Sequence, residues 1–222
     1  MFIAVEGMDG VGKSTLVKKL SKAFEFDFVE RPMRKFLNMT DSDYNDFCNH
    51  IWSMDNKDLT LVFFMLGNLT TRYYGENIIA DRHILSSYYW DGNEENKNIF
   101  NYFCKGDIIP DLTFVLYANE ETRYERIKKR NANDSDLKDS IVMNFGYDKM
   151  IEFANEINLP YILINTEKMD EMETFKYCSN ILLELIKNNN INDKERIINS
   201  YNNYFFENKK SDKILLLRKN MI

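Results

Sequence analysis

Hydrophobic positions along the chain follow two rhythms. Short apolar runs occur at Phe2–Glu6, Phe26–Val29, Asn77–Asp81, Leu112–Tyr117 and Pro160–Asn165. Runs of this length, bounded by Gly, Pro or Asp, predict strands. Between them apolar residues return every three or four positions, as at Leu16, Val17, Leu20 and Phe24 within Ser14–Phe24. That spacing predicts a helix there and further helices over residues 42–74, 120–130, 149–156 and 172–187. A polar patch at Asp55–Asp58 is expected to break the second of these, and Pro32 closes the second strand because it cannot donate to a ladder. Strands alternating with longer helices imply βαβ units. The expected fold is α/β, a parallel five-stranded sheet with helices on both faces.

At 222 residues and 26.5 kDa the chain is long enough for one well-buried core without disulfides or a structural metal. The reading divides it into a domain at 1–187 and an Asn/Lys-rich C-terminal extension at 188–222, of no assigned role, which ends in Ile214–Leu217. A net charge of −6 and a pI near 5.1 argue against an electrostatic nucleic-acid binder. The longest apolar runs, such as Leu61–Leu66, are far short of a membrane span. The opening MFIAVEG has neither the basic region nor the cleavage site of a secretory signal. Cys48, Cys104 and Cys178 show no metal or redox spacing, so thiols in a reducing cytoplasm are expected.

The first strand runs into Gly7-Met8-Asp9-Gly10-Val11-Gly12-Lys13-Ser14, which fits G-x-x-x-x-G-K-[ST]. Its chemistry needs each part. Glycines let successive N–H groups turn inward towards phosphate oxygens, and the following helix adds its positive end. Lys13 reaches the β- and γ-phosphates of ATP, and the Ser14 hydroxyl ligates Mg²⁺. Gly7, Asp9, Gly10, Val11, Gly12, Lys13, Ser14 and Thr15 are thus expected to hold the nucleotide. A regulatory GTPase would carry a separate D-x-x-G and an N-K-x-D. Here the first occurs only inside the loop and the second not at all, leaving phosphoryl transfer to a small molecule. Asp81-Arg82, at the end of a predicted strand, sits where open α/β sheets bind ligands. The acid can position Mg²⁺ and the arginine can grip an acceptor phosphate.

Around these residues the sequence resembles the thymidylate kinase family of P-loop nucleoside monophosphate kinases. FIAVEGMDGVGKST (residues 2–15) resembles the family's opening strand and loop, DRHILSS (81–87) its D-R-[YH]-x-x-S segment, and PDLTFVL (110–116) with residues 121–130 its fourth strand and lid-bearing helix. The resemblance, over roughly residues 1–185, implies ATP- and Mg²⁺-dependent phosphorylation of a pyrimidine deoxynucleoside monophosphate, with dTMP to dTDP the leading expectation, and suggests a homodimer. The helices that would meet in such a dimer read as polar and broken. It further implies that Asp9 lies near the sugar 3′-hydroxyl and acceptor phosphate, that Arg82 binds that phosphate, and that Ser87 faces the base. Members without an arginine in the loop, which here has Val11, supply cations from the lid. Arg126, Lys128, Lys129 and Arg130 are available, and Arg126 and Arg130, one helical turn apart, are the expected pair.

Three positions depart from the family pattern. Its R-E-P reads Glu30-Arg31-Pro32, exchanging acid and base and placing Arg31 at the substrate. The aromatic that frames the base, Phe64, is followed four residues later by Asn68 rather than arginine, and Trp90 stands where a tyrosine crowds the sugar. The phosphate-handling half is intact and the base-reading half rewritten. Two other readings stay open. A deoxynucleoside kinase would use Glu30 as base towards a 5′-hydroxyl, and a catalytically idle nucleotide-binding protein would use its tail for a partner.

Overall fold

The computed structural model describes residues 1–134, 137, 146–188 and 191–208. Five strands, β1 (Phe2–Glu6), β2 (Asp27–Glu30), β3 (Ile78–Asp81), β4 (Leu112–Tyr117) and β5 (Tyr161–Asn165), form one parallel sheet in the order β2-β3-β1-β4-β5. Covered on both faces, the inner strands have no polar alternation, and β1 and β3 are buried at every position. Val5 lies opposite Asp81 and Glu30 opposite Asp81, so the carboxyl ends of β1, β2 and β3 share one edge. The strand order reverses at β1, and the crevice outside that reversal is where such sheets take ligands.

Ten helices surround the sheet among the described residues: α1 (Lys13–Phe24), α2 (Pro32–Phe36), α3 (Asp41–Ser53), α4 (Lys57–Thr70), α5 (Ile84–Asp91), α6 (Lys97–Phe103), α7 (Glu120–Arg130), α8 (Gly146–Glu156), α9 (Glu171–Lys187) and α10 (Ile191–Asn208). The expected break after α3 is there. Asp55 turns at φ 48°, and Asn56 caps α4 by accepting from Leu59 N at 3.0 Å. Pro32 both ends β2 and opens α2, where its fixed φ suits a first helical position. Helix α5 escapes the periodicity because Ile84, Leu85, Ser86 and Tyr88 are buried around most of its circumference, leaving no polar stripe. Helix α4 buries Leu61 and Met65 but presents Leu59, Val62, Leu66 and Leu69 outward, at 36–44% exposure.

The chain beyond residue 187 returns to the sheet. The Asn202 amide accepts from Leu163 N at 2.9 Å and donates to Tyr161 O at 2.8 Å, pairing with the outer edge of β5 as another strand would. Ile197, Phe205 and Phe206 of α10 are buried in the same core as the strands. Ile214–Leu217 lies outside the described residues.

Candidate functional site

The phosphate loop joins β1 to α1 at the switch point. Gly7 (φ 133°) and Gly10 (φ 82°) adopt backbone that a side chain resists, and neither has room for one. A Cβ on Gly7 would lie 2.4 Å from Leu116 O, and one on Gly10 2.8 Å from Arg123 O. Gly12, at φ 97°, forms the N-terminal end of α1, whose first residues are Lys13, Ser14 and Thr15. Val11 is buried and its carbonyl accepts from Thr166 Oγ1 at 3.3 Å.

Lys13 is 5% exposed, and its Nζ donates to Met8 O at 2.8 Å and lies 3.6 Å from Asp9 Oδ1. Burial, reinforced by the Arg82 charge, lowers its pKa to about 8 against the opposing pull of Asp9, Asp81 and Glu6. For Asp9 burial works upward, but Lys13 and then Arg82 outweigh it and hold the carboxyl below its ordinary range. Arg82 itself sits at φ 68°, its amide donating to Val5 O at 3.0 Å. Its guanidinium pairs with Asp9 Oδ1 and approaches Ser86 Oγ at 3.4 Å. Asp9, Lys13 and Arg82 therefore form one charged chain across the ends of β1 and β3.

Glu6, absent from the sequence expectation, organises this corner. Fully buried, its carboxylate accepts from the amides of His83 (2.8 Å), Leu85 (3.0 Å) and Ser86 (3.1 Å) and from Ser86 Oγ. It thus caps α5 from a neighbouring strand, holding the turn that carries Arg82. Burial raises its pKa while the Ser86 bonds act downward. The signal was present as a carboxylate ending an apolar strand. Burial also drives His83 down to about 3, a neutral ring packed edge-on to Phe2.

The residues expected on the acceptor side fall into separate groups. Asn68, buried, donates from Nδ2 to Ser87 Oγ at 3.0 Å and to Met65 Sδ at 3.6 Å, and Ser87 Oγ donates to His83 O at 3.3 Å. Phe64 stacks on Trp52 at 6.1 Å. Arg31, at φ 50°, turns towards α3, with Asn45 Oδ1 at 3.2 Å and Asp41 at 3.6 Å. Trp90 is 45% exposed and meets Tyr89 edge-on. The two arginines of α7 diverge. Arg126 binds Thr166 Oγ1 at 3.0 Å and the Thr166 carbonyl, behind the loop, while Arg130 pairs with Asp134 at 2.6 Å and acts electrostatically on Asp9.

The donor set for a metal is a hydroxyl and a carboxylate. Ser14 is exposed at the start of α1, and Asp81 ends the strand beside β1. Hard oxygens of this kind suit Mg²⁺, which usually keeps few protein ligands and completes its shell with phosphates and water. Among the described residues no cluster of three or more His, Cys, Asp or Glu could hold an ion unaided.

The family model described as an AAA domain matches residues 3–144. The chain is 26% identical over 188 residues to the thymidylate kinase of Nautilia profundicola, covering 79% of this chain and 94% of that protein. It is 30% identical over 195 residues to a probable thymidylate kinase of Methanocaldococcus jannaschii, covering 82% and 97%. Among solved structures, deoxyadenosine kinase from M. mycoides with bound dATP superposes with a TM-score of 0.56 at 20% identity, over 82% of this chain and 99% of that one. The same enzyme with dCMP and dCDP gives 0.58 at 20% identity, over 83% and 100%. With relatives at this identity matched along nearly their whole length, and a phosphate loop answered across the sheet by Asp81-Arg82, the chain belongs to the thymidylate kinase family of P-loop kinases.

Proposed function

We propose that this protein transfers the γ-phosphoryl group of ATP to a deoxynucleoside monophosphate, dTMP before others. The Asp9–Lys13–Arg82 chain carries the reading: two cations converge where donor and acceptor phosphates would meet, and Arg82 is already turned towards the loop. An acceptor phosphate oxygen attacks the γ-phosphorus, the bond from that phosphorus to the β-bridging oxygen breaks, and ADP leaves. Lys13 and the loop amides stabilise the spread negative charge, Arg82 holds the acceptor, and Arg130 adds a cation on the Asp9 side. Ser14 and Asp81 would hold Mg²⁺, which supplies charge neutralisation between the β- and γ-phosphates.

The base preference follows from proton bookkeeping at Asn68. Ser87 gives its one proton to His83 O and so accepts from Asn68 Nδ2. With Nδ2 committed, Oδ1 is the atom left for a ligand, and it can only accept. Thymine N3–H or an exocyclic amino group would satisfy it, so thymine is accommodated and discrimination against cytosine or adenine is relaxed. The outward stripe Leu59, Val62, Leu66 and Leu69 on α4 supports pairing of two chains, which the polarity of the sequence alone does not suggest. The free thiols of Cys48, Cys104 and Cys178 suit a reducing cytoplasm.

A second reading, phosphorylation of a deoxynucleoside with Glu30 as base, is favoured by one observation. Glu30 is exposed at the end of β2, in register with Asp81. Incubating a panel of nucleosides and monophosphates with Mg·ATP, with Glu30→Gln alongside, separates the two. Phosphorylation of dTMP that survives in the variant is expected. Turnover of nucleosides alone, lost in the variant, would overturn the monophosphate reading.

A further inference from the structure

We propose that Tyr147 is a positioning residue for the donor loop. It stands in the first turn of α8, 139 residues from the loop in sequence, yet Met8 N donates to its hydroxyl at 3.4 Å. One phenol oxygen thus ties the phosphate loop to the start of α8. Met8 is held on its other side as well, since its carbonyl accepts from Lys13 Nζ. The residue that parks the catalytic lysine is therefore fixed by Tyr147 from behind.

Two further observations place α8 firmly against the loop. A Cβ on Gly146 would lie 2.6 Å from Met8 Sδ and 2.7 Å from the Tyr89 ring, so the helix start touches both the donor loop and the acceptor-side helix α5. The Tyr147 ring packs on Tyr117 at 4.8 Å, and Tyr117 meets Phe205 of α10 at 6.1 Å. Aromatic packing from the C-terminal helix thereby backs the phenol that holds the loop. Tyr147 is buried, and burial drives its pKa upward despite nearby Arg123, so the hydroxyl stays neutral and can accept from the Met8 amide.

Removing the hydroxyl alone leaves the buried Met8 amide without that oxygen, a loss the loop meets by shifting. The inference rests on the donor-site reading, so ADP affinity is measured first in the parental chain and then in Tyr147→Phe, alongside KM for ATP and for the acceptor the parental chain uses. The expected result is an ADP Kd and ATP KM raised about tenfold, the factor set by roughly one hydrogen bond's worth of ordering, with acceptor KM within about twofold. Tyr161→Phe serves as control. It loses a comparable bond, Tyr161 OH to Asn155 at 3.0 Å, at the far end of β5, and is expected to lower the melting temperature without moving ATP KM. Equal behaviour of the two variants, or an unchanged ADP Kd in Tyr147→Phe, would overturn the assignment. A parental chain that binds no ADP would instead overturn the donor-site reading, and this one with it.

Discussion

Lys13 offers a prediction in which function and stability pull in opposite directions. Its ammonium is buried with a folded-state pKa of about 8 against an ordinary 10.5. Between those values the unfolded chain binds one more proton than the folded one, so stability rises with pH at up to ~1.4 kcal/mol per pH unit. Below pH 8 the charged lysine costs the fold on the order of 3 kcal/mol, the product of that interval and the value of one pH unit. Between pH 7 and 9.5 about 2 kcal/mol of this is recovered, equivalent to roughly 4–8 °C in melting temperature for a chain of this size. Thermal melts of the parental chain and Lys13→Met across that range isolate the contribution, because every other titrating group is common to both. The variant should be the more stable at pH 7, with the gap closing as pH rises. ADP binding should show the reverse, weakening above pH 8 in the parental chain only, since the phosphates need the protonated form. A melting difference that stays flat within about 1 °C from pH 7 to 9.5 would refute the buried-charge argument.

Arg82→Ala should raise acceptor KM at least about tenfold while leaving ATP KM within about twofold, the signature of a lost charge-assisted phosphate contact, read by steady-state kinetics with the acceptor varied. Gly10→Ala imposes a left-handed residue and a 2.8 Å contact with Arg123 O, a backbone atom that cannot swing aside. A cost of about 2–3 kcal/mol is expected, seen as ADP affinity reduced about thirtyfold or more by calorimetry. If two chains pair through the outward stripe of α4, Leu66→Glu should convert a dimer to a monomer in light scattering, with the melt of the monomer unchanged, since Leu66 is 44% exposed in the single chain.

What the sequence determined by itself was whatever depends on neighbours along the chain. Five apolar runs became five strands; in β1, β3, β4 and β5 near-complete burial leaves little polar alternation to confuse the pattern, while the edge strand β2 keeps an apolar centre between exposed Asp27 and Glu30. The Gly-x-x-x-x-Gly-Lys-Ser spacing became a loop of left-handed glycines, because those backbone angles are a local requirement. Asp81 and Arg82 were legible from their place at a strand end. Tertiary structure decided whatever joins distant segments. It capped α5 with Glu6 from another strand, turned Arg126 back to Thr166 while Arg130 went to Asp134, and drew Arg31 towards α3. It brought Tyr147 to Met8 and used Asn202 as a surrogate strand, making α10 part of the same core. A helix face fixes which side chains emerge together, but a long polar side chain takes the partner that packing brings within hydrogen-bond reach. No periodicity along the chain encodes that choice.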